Sequence, residues 1–221
     1  MFFKVLSSLV LAQLAAAQYG GGPATTAAAT SAAPAPSAPP NTQGHINVNV
    51  FPNSQYVYDP ANITAQVGDL ITFYFPTNSE QFPHSVTQSS FAQPCTYLAA
   101  NGSNSAGFDS GLQSAKIFTI NITSTDPIWF HCKQIGHCGM GMVGSINAPT
   151  TGSNTHEAFV AAAKAIGSNE VQETDNGPVL SGFHAMPTGT PVDSTTKSSA
   201  VKTVAKGSLY LVAAGVLIVL I

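Results

Sequence analysis

The stretch WFHCKQIGHCGMGMV, residues 129–143, contains two of the three cysteines, two of the six histidines and two of the four methionines of the 221-residue chain. Sulfur and imidazole at this density indicate a metal site, a disulfide, or both. Within it, Cys132, His137 and Met142 follow one another at five-residue intervals. A thiolate, an imidazole and a thioether are ligand types that suit copper. The spacing therefore predicts most of a copper site on one loop.

A copper site with two histidines, one cysteine and a weak axial methionine needs a second imidazole from elsewhere in the chain. His84 follows the apolar run ITFYF and is the candidate, with a capping histidine at the end of that run as the alternative. Spacing favours Met142 over Met140 as the axial ligand. Strand alternation turns His131 away from Cys132, so we interpret His131 as structural. The remaining histidines lie outside the pattern: His45, His156 and His184.

The N-terminal residues 1–17, MFFKVLSSLVLAQLAAA, have an early lysine, an apolar run and a small-residue ending. This pattern predicts a secretory signal peptide cut after Ala17, in preference to a buried helix. Secretion permits disulfides, so three cysteines indicate one bridge and one odd thiol, with Cys132 in a bridge left open as an alternative. N-glycosylation sequons, which fit the same route, begin at Asn62, Asn101 and Asn121.

The C-terminal residues 209–221 form an apolar run shorter than the ~20 residues that span a bilayer. Small residues and a polar spacer precede it, which predicts a GPI-anchor signal rather than a tail anchor. We expect attachment at Ser198, with Asp193 or Ser194 as alternatives, and removal of residues 199–221. The anchor would place the protein at the extracellular face of the plasma membrane or in the cell wall.

Composition and motifs argue against nucleic-acid binding and against an enzyme. Seven lysines, no arginine and ten acids give a net charge of −3, so we expect no nucleic-acid binding, which needs clustered positive charge. The chain also has no pair of H-x-H motifs, no nucleophile–base pattern and no paired carboxylates that would predict an enzyme.

Composition divides the chain into segments. Residues 18–43 form a linker rich in Pro, Ala, Ser and Thr, and residues 171–198 form a second stalk; both are expected to be disordered. Residues 44–148 contain short apolar runs that predict an all-β antiparallel sandwich, with a strand–turn–strand around Gly68-Asp69. Residues 149–170 predict a short helix that packs on this domain, capped by Asn154 and Gly167.

The ordered text of residues 45–147 resembles the cupredoxins, or blue copper proteins, and most closely the plant phytocyanins and the GPI-anchored fungal cupredoxins. The resemblance is carried by YDPANITAQVGDLITFYF, PHSVTQSSFAQPC, FDSG, TDPIWFHC and GHCGMGMVGSIN. It implies a Greek-key β-sandwich and a single type 1 copper. The implied ligands are His84, Cys132, His137 and Met142. It also implies a disulfide between Cys95 and Cys138, which leaves Cys132 as the odd thiol that binds metal.

A copper with three strong ligands and a weak axial thioether has little room for substrate and moves one electron. We therefore predict a monomeric cell-surface electron-transfer protein, which meets an unknown redox protein at the exposed edge of His137. Two alternatives stay open: a copper carrier or buffer, and a non-redox cell-wall interaction protein. Retention of all four ligand types counts against the second.

Overall fold

The computed structural model describes residues 37–77, 79, 81–102 and 104–194. The predicted signal peptide, most of the linker at 18–43, Ser198 and the segment 199–221 lie outside the described residues. Within the described ranges, no helix has both the length and the apolar character needed to cross a bilayer.

The described residues form two β-sheets, as predicted, with one α-helix. The strands are β1 His45–Val50, β2 Tyr58–Asp59, β3 Asn62–Ile63, β4 Leu70–Tyr74, β5 Thr87–Ser89, β6 Lys116–Ile122, β7 Ile128–His131, β8 Val143–Ile146, β9 Ala185–Pro187 and β10 Val192–Asp193, and the helix is α1 His156–Ile166. The first sheet has the order β10-β6-β4-β1-β2, with β9 also paired to β6. The second sheet has the order β3-β8-β7-β5.

The sheets are mixed, and the expectation of a purely antiparallel sandwich is wrong. Strand β1 pairs with β4 in parallel, and β3 pairs with β8 in parallel. The turn at Gly68-Asp69 does not join two paired strands, because β3 and β4 belong to different sheets. Gly68 has φ +95° and donates its backbone N–H to Ile122 O on β6 at 2.8 Å. Glycine tolerates this backbone conformation, so the chain can cross from one sheet to the other here.

The core lies between the two sheets. Alternate residues of β4 and β6, such as Phe73 and Ile120, are buried from one side, and Phe130 of β7 is buried from the other. The rings of Tyr58, Phe73 and Phe130 meet edge to face, with centroids 5.0–6.3 Å apart. Period-two alternation in β1, β4 and β6 thus places their apolar side chains on the inner face of the first sheet, where they are buried.

The second sheet is also covered on its outer face, which explains why every residue of β7 and β8 is buried. Phe159 of α1 lies with its ring centroid 4.7 Å from that of Trp129 on β7. The predicted helix is present, but its N-cap is Thr155 rather than Asn154. The Thr155 hydroxyl accepts a hydrogen bond from Ala158 N, and the hydroxyl oxygen of an N-cap normally satisfies such a donor.

The segment predicted as a second stalk differs from expectation. Residues 185–187 and 192–193 pair with β6 through registers such as Ile120↔Pro187 and Val192↔Ile117. These short strands satisfy backbone groups that an uncovered edge of β6 would leave unpaired. Strands of three and two residues are too short to give a periodic sequence signal, so composition alone predicts a stalk there.

We expect Phe159→Ala to lower the free energy of unfolding by roughly 3–5 kcal/mol, because it leaves a cavity against Trp129. Phe82→Ala is the matched control, since Phe82 is 63% exposed and Phe159 is fully buried. Its effect should stay within about 0.5 kcal/mol. Urea unfolding followed by the fluorescence of Trp129, the only tryptophan in the chain, measures both. Equal losses in the two variants would contradict the packing of α1 on the second sheet.

Candidate metal centre

The loop between β7 and β8 begins at Cys132 and ends at Met142. The register pair His131↔Val143 closes it, and Cys132 N donates to Met142 O at 3.1 Å. Met142 N in turn donates to His137 O at 2.9 Å, which folds the loop back on itself. Antiparallel pairing of the flanking strands thus brings three residues that are five positions apart into one small region.

His84 reaches the same region from the segment between β4 and β5. Its backbone pairs with that of Gln113: His84 N donates to Gln113 O at 3.0 Å, and Gln113 N donates to His84 O at 2.7 Å. The next residue, Ser85, donates its backbone N–H to Cys132 Sγ at 3.4 Å. The alternative role of His84 as a simple capping histidine is disfavoured, because its ring is buried beside the cysteine.

The three nitrogen and sulfur donors converge. Cys132 Sγ lies 3.9 Å from His84 Nδ1 and 3.4 Å from His137 Nδ1, and the ligand atoms of the three residues are all within 4.8 Å of one another. Sulfur and nitrogen ligands about 2.0–2.3 Å from one ion, at ordinary angles, lie about 3.3–3.8 Å apart. Cys132, His84 and His137 therefore fit a shared metal ion without large rearrangement.

Burial sets the protonation of the donors. It lowers the pKa of His84 to about 3, helped by the charge of His137, and lowers the pKa of His137 to about 4. Both imidazoles are therefore neutral near pH 7 and keep a lone pair for a metal. Burial raises the pKa of the Cys132 thiol to about 12, partly opposed by the hydrogen bond from Ser85 N. A metal must displace the thiol proton when it binds.

The two methionines of the loop have different environments. Met142 is fully buried in the same core cluster as Cys132, whereas Met140 is 49% exposed. An exposed thioether would have to turn inward to reach the three converging donors. Of the two candidates that the sequence offered, the fold favours Met142 as the fourth ligand.

The remaining cysteines form a disulfide between Cys95 and Cys138, with Cα atoms 5.7 Å apart, and Cys132 is a free, buried thiol. The bridge ties the residue after His137 to the segment that follows β5. His131 faces away from the donors, as strand alternation predicted, and its Nε2 lies 3.0 Å from Glu173 Oε2. The other histidines contact residues outside the cluster: His45 contacts Thr72, His156 contacts Ser145, and His184 contacts Asp126.

Two aromatic residues that the sequence did not indicate lie against His84 and His137. The ring of Phe51 is centred 4.3 Å from that of His84, and the ring of Tyr56 is centred 4.6 Å from that of His137. Both lie in the irregular segment after β1, where no motif or period points to a site. His137 is only 4% exposed, so the open edge expected there is reduced to a small tip.

The sequons differ in exposure. Asn62 and Asn101 are exposed, whereas Asn121 on β6 is half-buried and its side-chain oxygen is shielded from solvent. Glycosylation at all three stays a prediction, with Asn121 the least accessible.

No protein-family model matches the chain. It is 31% identical over 173 residues to the "Probable GPI-anchored cupredoxin-1" of Arthroderma benhamiae, covering 75% of this chain and 88% of that protein. It is 30% identical over 96 residues to an "Extracellular serine-rich protein" of the same fungus, covering 43% and 36% of the two chains. Among solved structures, the pseudoazurin of Methylobacterium extorquens AM1 aligns with a TM-score of 0.30 and 20% identity, over 60% of this chain and 87% of that one.

The metal-free protein should lose stability as the pH falls from 6.5 to 5.5. Unfolding releases His84 and His137 to bind protons that the folded state excludes, because their pKa values are lowered to about 3 and 4. Two protons correspond to a slope of at most about 2.7 kcal/mol per pH unit. Urea unfolding in the presence of a chelator measures this slope.

A double variant, His84→Gln with His137→Gln, should have a shallower slope than the wild type over the same pH range. His156, whose pKa is also lowered by burial, is present in both proteins and cancels from the comparison. An identical slope in the double variant would show that His84 and His137 are not buried in the neutral form.

Proposed function

The chain belongs to the cupredoxins, and from that premise we propose that it is a one-electron transfer protein with a single type 1 copper. The ligands in this proposal are His84, Cys132, His137 and, on the axial side, Met142. The observation that carries it is the convergence of one cysteine sulfur and two histidine nitrogens within 4.8 Å in the buried interior. Two imidazoles, a thiolate and a weak thioether form the ligand set of blue-copper electron-transfer sites.

Copper bound in this set would supply a reversible change of one electron, and His84, Cys132, His137 and Met142 would hold it. The loop carrying three of the ligands is constrained by its own backbone hydrogen bonds and by the Cys95–Cys138 bridge. Phe51 and Tyr56 cover the histidine rings and limit the access of water. A rigid, shielded site needs little rearrangement when an electron is gained or lost, which supports transfer rather than bond chemistry.

The proposed route for the electron is the tip of His137. Tyr56 contacts His137, Met140 is hydrogen-bonded to it through the backbone, and Ile135 precedes it by two residues. All three side chains are exposed. A small apolar surface around a nearly buried ligand suits a transient, low-area contact with a redox protein. We propose that the protein meets its partner there as a monomer.

The cell-surface part of the proposal rests on sequence. The Arthroderma relative is named as GPI-anchored, which supports the same processing here. We propose attachment at Ser198, removal of residues 199–221, and a location at the extracellular face of the plasma membrane or in the cell wall. An anchored carrier of electrons would act on partners at the same surface.

Copper loading of the processed chain tests the site. We expect an intense blue absorption band and narrow copper hyperfine splitting in the wild type, both lost in Cys132→Ser, because the thiolate–copper bond produces them. A wild type that stays colourless with copper would contradict electron transfer. Copper bound equally well by Cys132→Ser would instead favour a carrier or buffer.

The axial ligand is tested by a matched pair of variants in the same loop. Met142→Leu should change the hyperfine splitting and the reduction potential, because it removes the thioether while conserving volume. Met140→Leu should leave both unchanged, since that side chain is exposed. The reverse pattern would assign Met140 as the ligand.

A further inference from the structure

Three acidic residues that follow α1 each contact a residue in the candidate copper loop or next to it. We call Glu170, Glu173 and Asp175 the acidic strap. The sequence places Glu170 at the end of the predicted helix segment 149–170, and Glu173 and Asp175 in the predicted stalk 171–198. In the structure Glu170 and Glu173 are half-buried and the Asp175 side chain is 31% exposed, and each accepts a hydrogen bond from a residue in or beside the loop.

Asp175 holds the residue that follows the ligand cysteine. The Lys133 ammonium lies 2.8 Å from Asp175 and 2.6 Å from Asp109, and Lys133 is only 4% exposed. A buried ammonium is costly unless it is paired, so these two carboxylates fix where Lys133 can lie. Asp175 is itself held by the backbone N–H of Leu112 at 3.2 Å.

Glu173 holds the residue that precedes the ligand cysteine. Its Oε2 lies 3.0 Å from His131 Nε2, and its Oε1 accepts a hydrogen bond from Tyr97 N. Cys132 therefore lies between two residues, His131 and Lys133, that are both bound to the strap. Successive residues of an extended chain point to opposite sides, so the strap holds one side while the Cys132 sulfur points to the other.

Glu170 holds the loop at its other end. Its Oε2 accepts a hydrogen bond from Gly139 N at 2.7 Å, two residues beyond His137. Gly167, the C-cap of α1, also lies against Gly139, because a Cβ atom at position 139 would be 2.1 Å from Gly167 O. Only glycine at position 139 permits this approach.

We propose that the acidic strap is a positioning element for the copper ligands: it orients Cys132 and His137 by holding their neighbours from the outer face of the loop. The role in copper binding rests on the proposed function, whereas the contacts between the strap and the loop do not depend on it. Groups that hydrogen-bond directly to a metal's ligands typically change metal affinity 10–100-fold when they are removed, and the strap contacts residues next to the proposed ligands instead.

The test compares Glu170→Ala, Glu173→Ala and Asp175→Asn in the processed chain. Asp193→Asn is the control, since Asp193 pairs with Lys116 on the first sheet and both side chains are substantially exposed. Copper affinity, measured by competition with a chelator, should fall up to about tenfold in the strap variants, the lower end of that range, and stay unchanged in the control. Their hyperfine splitting should also broaden or shift. Glu173→Gln keeps an acceptor for His131 and should recover much of the affinity.

A second readout uses the metal-free protein. The amides of Cys132 and Met142 donate to Met142 O and His137 O, so they report on the loop without touching the strap. Their hydrogen exchange should become about tenfold faster in the strap variants as the loop opens locally. Urea unfolding shows whether each variant remains folded, and Asp175→Asn is the mildest change of the three.

Variants that lose stability but keep the wild-type affinity, spectrum and amide protection would overturn the positioning role and leave a structural one. The failure of the proposed function is a separate outcome. If the wild type binds no copper, electron transfer fails, while the exchange of Cys132 and Met142 in the metal-free protein still decides whether the strap orders the loop.

Discussion

The pairing of β7 with β8 is the constraint on which the rest of the site depends. The register pair His131↔Val143 brings the two ends of the loop together, so that Cys132 and Met142 are hydrogen-bonded neighbours. Once the ends are fixed, His137 at the middle of the loop has few positions open to it, and the Cys95–Cys138 bridge restricts it further. Only His84 then has to come from another part of the chain.

The second sheet is covered on both faces, and the two faces have different tasks. The inner face packs on the first sheet, and Cys132 and Met142, at the two ends of the β7–β8 loop, belong to the same core cluster. The outer face carries Trp129 and His131 and is covered by α1 and the acidic strap. Because neighbouring residues of a strand point to opposite faces, the contacts of His131 and Lys133 lie on the face opposite the Cys132 sulfur.

Burial keeps the three candidate donors uncharged in the metal-free protein. Burial lowers the pKa values of His84 and His137 and raises the pKa of the Cys132 thiol. The two imidazoles are therefore neutral and the thiol protonated near pH 7. The same interior tolerates the Lys133 ammonium because two carboxylates meet it at hydrogen-bonding distance. Neutral donors inside and paired charges just outside form a site that has no uncompensated charge among these groups.

The sequence by itself determined the kind and order of the candidate donors and the runs that become β1, β4, β6, β7 and β8. These properties follow from residue type and local spacing. Tertiary structure decided the strand pairing, the burial and the docking that local spacing does not predict. It set the parallel pairing of β1 with β4, the burial of Met142 rather than Met140, and the docking of residues 170–193 on the sandwich. Each of these depends on contacts between residues far apart in the chain, where strands of two or three residues and isolated acids leave no periodic signal.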